Sequence, residues 1–167
     1  MNKHPNRMLP VIWGTFFMTF LSVMPLISFI NVFFCSGIIL GGAAGVMFYN
    51  KQLKETDLEL KYNDGAMIGL LCGILSSILV TGINTLMLAM SKENPMIEFS
   101  KIFSDLNLQL PAEVETQFNK FTDEFSKYGF SPTIALFSLI MNIIIYPLFG
   151  SIGAIISVAI LKKRRNL

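Results

Sequence analysis

The chain has 167 residues, a length that fits one domain. Hydrophobic residues make up 53% of it and charged residues 14%, against about 25% charged in an average soluble protein. The net charge of +2 is small and divided by region, which argues against nucleic acid as a partner.

Position decides more than composition. All 13 basic and 11 acidic residues lie outside the blocks 9–49, 66–90 and 132–161. A soluble core of this size has no need of such charge-free runs. A lipid bilayer does, because one crossing takes about 20 apolar residues. The expected fold class is all-α: a polytopic membrane protein with four transmembrane helices plus an extracytoplasmic amphipathic helix pair, forming a single membrane domain over 1–167.

In chain order, Lys3 and Arg7 precede an apolar run that opens at Leu9 in the manner of a signal peptide. No small-x-small cleavage site follows, and the apolar character continues to Tyr49. Bulky Phe33 and Phe34 before Cys35 do not fit a lipoprotein anchor. The segment is therefore expected to stay in the mature protein. As one helix, block 9–49 would run about 62 Å, too long for one crossing. Its mid-block breakers are Pro25 and Asn31, which predicts spans at about 9–27 and 31–49 with a tight turn between them.

Segment 50–64 alternates charges (Lys51, Lys54, Glu55, Asp57, Glu59, Lys61, Asp64) and reads as a solvated connector. A third span is expected at 66–90. Segment 91–131 is the sizeable polar region. Asn94 and Pro95 open a helix with Glu98 in its first turn and an apolar face that includes Met96, Phe99, Ile102 and Leu106. Pro111 opens another, in which Val114, Phe118, Phe121, Phe125 and Tyr128 recur at helical spacing until Gly129 ends it. This pair is expected to cap the bundle from outside or to dock another protein. The fourth span, 132–161, would be about 45 Å long as a straight helix. It must tilt, kink at Pro147, extend beyond the membrane, or form a re-entrant hairpin. Lys162, Lys163, Arg164 and Arg165 argue against the hairpin, because that tail should stay cytoplasmic.

Nine of the 13 basic residues then fall on one side, while the other four share the outer segment with seven acids. The expected location is the cell membrane, with both termini cytoplasmic. Aromatic residues agree: Trp13, Tyr49 and Tyr62 fall near the inner boundary, and Phe29, Phe33, Tyr128 and Phe130 near the outer one.

Two glycine-zipper patterns carry the most physical content. Gly37, Gly41 and Gly45 recur every fourth residue in the second span; Gly65, Gly69 and Gly73 do so in the third, continued by Ser77. Helices in lipid associate by close backbone approach, which small residues permit. Counted from the inner interface, Gly45 falls level with Gly69, Gly41 with Gly73 and Gly37 with Ser77. The stripes are expected to be helix-packing seams of a hairpin, with a contact to a second copy as the sharper reading. Asn84 and Asn142 are intramembrane amides, expected to face protein or water rather than hydrocarbon.

No charged residue lies within a span, which weakens proton-coupled transport and intramembrane catalysis. Cys35 and Cys72 sit at different depths and read as small packing residues. His4 has no second ligand beside it. No catalytic set, metal site or cofactor site is expected.

Several features together make a layout: the apolar hairpin, Asn63-Asp64-Gly65 opening a glycine-rich third span, the long outer segment, the stretch Gly150 to Gly153, and the basic tail. It resembles small, uncharacterised four-helix membrane proteins of bacteria. That resemblance implies the topology and no activity. The expected function is non-enzymatic, acting through helix packing as a homo-oligomer or as the small partner of another membrane protein. The alternative is a small channel or transporter formed by oligomerisation, with Asn84, Asn142, Ser76 and Thr81 lining a route.

Overall fold

The computed structural model describes residues 5–24, 35–54, 58–91, 94–106 and 111–165. Among these, every regular element is a helix: α1 (Met8–Val23), α2 (Ser36–Leu53), α3 (Tyr62–Ser91), α4 (Pro95–Asp105), α5 (Ala112–Tyr128) and α6 (Pro132–Arg165). The described chain is all-α. Two helices are long and apolar enough to cross a membrane: α3 with 30 residues and α6 with 34, whose apolar 18-residue stretches reach mean hydropathies of 2.2 and 2.3. Apolar α1 has 16 residues, about 24 Å. The last turn of α2 includes Asn50, Lys51 and Gln52, which dilutes its hydropathy.

Local chemistry sets the helix ends. Helix α1 stops at Val23 rather than at 27 because Met24 precedes Pro25, and a residue before proline is pushed out of the helical region. Met24 has φ −67° and ψ 118°. The expected turn residues Pro25 and Asn31 lie outside the described residues, as do Lys3, His4, Phe29 and Phe33. Helix α6 is unbroken from Pro132 through Pro147 to Arg165, so its first and last residues belong to one helix and not to a re-entrant hairpin.

Contacts divide the chain into two compact units, Met1–Val80 with Met141–Leu167, and Thr81–Ile140. The first unit holds α1, α2, the start of α3 and most of α6. Its core includes Met18, Val46, Tyr49, Ile68, Cys72 and Val158, all shielded from solvent. Tyr49 is fully buried, whereas Tyr62 and Trp13 are about half exposed. The outward faces are apolar instead of charged: Ile12, Phe16, Leu40, Leu148 and Ile156 are each about half exposed.

The connector is not simply solvated. Asp64 is buried inside the first turn of α3, and its carboxylate accepts a hydrogen bond from the Lys61 backbone N–H at 3.1 Å. That bond satisfies one of the donors a helix start leaves open, and it explains why α3 begins a turn before 66. The other carboxylate oxygen accepts the Arg7 guanidinium at 2.6 Å, tying the start of α1 to the start of α3.

In the second unit, Asn94 caps α4 by accepting the Met96 N–H at 3.1 Å. Gly129 closes α5 in the left-handed conformation at φ 76°, a position glycine takes without strain, and donates to the Phe125 carbonyl at 2.8 Å. The amphipathic pair packs through aromatic rings: Phe99 lies 6.2 Å from Phe118 and 4.9 Å from Phe103, centroid to centroid. Glu124 of α5 joins the start of α6. It accepts from the Ser131 hydroxyl, from the Thr133 hydroxyl at 2.6 Å and from the Thr133 N–H at 3.1 Å, while Ser131 Oγ accepts the Ile134 N–H at 3.2 Å. These hydrogen bonds, Ser131 first and then Thr133, hold the Glu124 carboxyl below the usual glutamate range.

Two outcomes are expected. Arg7→Ala strands a buried carboxylate and should cost roughly 2 kcal/mol, less than the ~3–5 kcal/mol of a fully buried pair, because Arg7 is 34% exposed; chemical denaturation in detergent measures it. Glu124 has a lowered folded value, so its contribution is complete above about pH 4.3 and is lost as pH falls through that lowered value. Unfolding midpoints of the wild type and Glu124→Gln should therefore differ at pH 7 and converge on acidification.

Candidate functional site: a small-residue helix seam

Within the first unit the helices meet where side chains are missing. On α2, a methyl group in place of the Gly41 hydrogen would sit 2.6 Å from Met18 Cβ of α1. One at Gly45 would meet Ile68 Cγ2 at 3.1 Å, Cys72 Sγ at 3.2 Å and the Pro10 carbonyl at 3.3 Å. Gly14 of α1 answers from the other side, facing Cys72 Sγ and the Gly45 Cα. On α3, Gly65 faces Val158, Gly69 faces Gly150, Ser151 and Ala154, and Gly73 lies against the backbone of Tyr146 and Pro147. On α6, Gly150 meets both Gly42 of α2 and Gly69 of α3, while Gly153 lies on the Ile39 carbonyl.

The two expected stripes therefore do not face each other. Gly45 is level with residues 68–72 of α3, so the depth reading agrees with the geometry, but Ile68 and Cys72 make that contact. Gly65, Gly69 and Gly73 are turned toward α6. Neighbouring residues on a helix point about 100° apart, so a one-residue difference moves a stripe onto a different partner. Gly37 is buried at the start of α2. Ser77 is buried too, and donates to the Ile74 carbonyl of its own helix at 2.7 Å.

Short polar side chains add bonds across the same seams. Cys72 Sγ donates to the Val11 carbonyl at 3.4 Å, and Ser76 Oγ, one turn on, to the Thr15 carbonyl at 3.2 Å. Ser151 Oγ donates to Ala66 O and Ser157 Oγ to Ala43 O, each at 3.4 Å. Such bonds between helices are worth roughly 0.6 kcal/mol each. Each one needs the backbones close enough for a one-carbon side chain to bridge them, so they depend on the glycines nearby.

The two amides expected within spans differ in their surroundings. Asn142 is half-buried and engaged, whereas Asn84 is exposed on α3. Exposure of Asn84 puts the expected contact with protein or water outside the chain's own packing. Of the other residues considered for a polar route, Ser76 is committed to the α1 backbone and Thr81 is buried. Cys35 and Cys72 are free thiols. Cys35 takes a left-handed conformation, φ 53°, just before α2.

Sequence reading missed the Arg7–Asp64 pair and the part played by α6. The pair had one visible signal, an acid three residues past a charged residue at a helix start. The second had another: Gly150 and Gly153 beside Ser151 and Ser157, a small-residue face equal in kind to those on α2 and α3. Among the described residues no group of three or more His, Cys, Asp or Glu is placed to hold a metal ion. Comparison with protein-family models, with curated proteins and with solved structures finds no match.

The seam makes a contrast between glycines. Gly73→Ala should destabilise by about 1–3 kcal/mol, the range for overpacking, because the new methyl would press on the Pro147 backbone. Gly82→Ala meets nothing within 4 Å and should gain up to about 1 kcal/mol from helix propensity. Thermal unfolding of the two variants in the same detergent gives both signs.

Proposed function

We propose that the chain is a four-span protein of the cell membrane, with spans at about 9–27, 31–49, 66–90 and 132–161 and both termini cytoplasmic. It acts without catalysis, through helix packing, as a homo-oligomer or as the small partner of another membrane protein. Membership among the small four-helix membrane proteins of bacteria is part of the same reading. The observation that carries it is the pairing of a seam of glycines and short hydroxyls inside the first unit with apolar side chains on its outside. A soluble bundle reverses that order, with a large apolar core and a polar exterior. Gly41, Gly45, Gly65, Gly69 and Gly73 are occupied by contacts within the chain, so a partner meets the larger outward side chains and not these positions.

A channel or transporter formed by oligomerisation is the weaker reading. Ser76, one of the residues it requires along a route, spends its hydroxyl on the Thr15 carbonyl.

The test is the native mass of the protein extracted with its surrounding lipid and no detergent. A defined homo-oligomer or a co-purifying membrane protein is expected; a bare monomer overturns the assembly reading. Ion flux in liposomes is expected to match empty vesicles at every potential, and a conductance above them would transfer support to the channel.

A further inference from the structure

We infer that the end of the first unit bearing Lys51, Lys54, Lys162, Lys163 and Arg164 is a docking face for the headgroups of anionic phospholipids, a conclusion that rests on the membrane reading above. Charge is sharply divided between the units. Residues 1–80 with 141–167 hold nine Lys and Arg against four Asp and Glu, while 81–140 hold four against seven. Of the four acids, buried Asp64 is already neutralised by Arg7. No other ion pair forms among the described residues, and Lys51, Lys54, Lys163 and Arg164 are exposed. Among the described residues these four cations have no carboxylate within ion-pair distance.

Two of the basic residues at this end are posted on aromatic rings. Lys51 Nζ lies 5.6 Å from the Phe48 centroid, and Phe48 stacks on Trp13 of α1 at 5.2 Å. Lys162 Nζ lies 4.9 Å from the Tyr62 centroid, joining the end of α6 to the start of α3. A lysine held this way lays its stem along apolar surface and presents its head at the edge of that surface.

What lies beside the cations selects lipid over a soluble anion. Ile12 and Phe16 on α1, Met47 on α2, Met67 on α3 and Ile160 on α6 are each about half exposed. Each helix thus offers apolar surface next to the basic end. A phospholipid is the ligand that brings a phosphate and a hydrocarbon chain together, and cations at an anionic leaflet gain about fivefold in affinity each.

The full chain is reconstituted into vesicles of equal phosphatidylglycerol and phosphatidylcholine, extracted with a membrane-solubilising polymer, and its retained lipid weighed by mass spectrometry. Phosphatidylglycerol is expected to be enriched at least about fivefold over the vesicle ratio. The enrichment should fall toward that ratio in the Lys51→Gln, Lys162→Gln double variant and persist in the matching Lys→Arg variant, with thermal unfolding showing that both fold. Retention at the vesicle ratio by the wild type, or enrichment indifferent to the glutamines, overturns the headgroup face alone. A chain that floats with neither anionic nor zwitterionic vesicles overturns the membrane reading beneath it.

Discussion

A helix with an apolar outside has little reason to prefer another helix to its surroundings when those surroundings are apolar too. The hydrophobic effect, which assembles a water-soluble bundle, then contributes almost nothing between helices. What remains is dispersion at short range and the hydrogen bond, and both reward only close approach. The packing of the first unit answers to that constraint. At the closest approaches of α2, α3 and α6, Gly42, Gly69 and Gly150 meet beside Ser151 and Ala154. Gly150 is the tightest case, with Gly42 on one side and Gly69 on the other. The hydroxyl bonds follow from the same closeness, because a serine reaches a neighbouring carbonyl only if nothing larger keeps the backbones apart.

The carboxylate contacts described above lie elsewhere, and they serve helix ends. Asp64 is both a cap for α3 and the counter-charge of Arg7. Glu124, with Ser131 and Thr133, takes up the open N–H groups at the start of α6. The two arrangements solve one problem: a helix start leaves donors unsatisfied, and a carboxylate placed there satisfies them while favouring the positive end of the helix dipole.

Much of this architecture was readable in the residues, and the failures have physical causes. Charge-free blocks located the helices. Asn94-Pro95, Pro111 and Gly129 marked the ends of α4 and α5, because caps and breakers act locally. Helix α1 ends at Val23, one residue short of Met24, because a proline acts on the residue before it as well as on itself. The glycine stripes were read as packing surfaces of a hairpin, and the geometry turns Gly41 toward α1 and Gly65, Gly69 and Gly73 toward α6. Periodicity gives the height of a residue along a helix far better than the direction in which its face is turned, and direction depends on every helix at once. Asp64 was read as one more charge in a polar connector, because burial of an acid depends on a guanidinium 57 residues earlier.

The central place of α6 also bears on how the chain reaches its final form. The hydroxyl bridge from Ser157 to Ala43 spans 114 residues, and that from Ser151 to Ala66 spans 85. Ribosomal synthesis therefore delivers α2 and α3 long before the surface that covers their glycines exists. During that interval Gly42 and Gly69 lack the Gly150 backbone that covers them in the folded unit. The order of elements leaves assembly of the first unit waiting on α6, the last of its helices to be made.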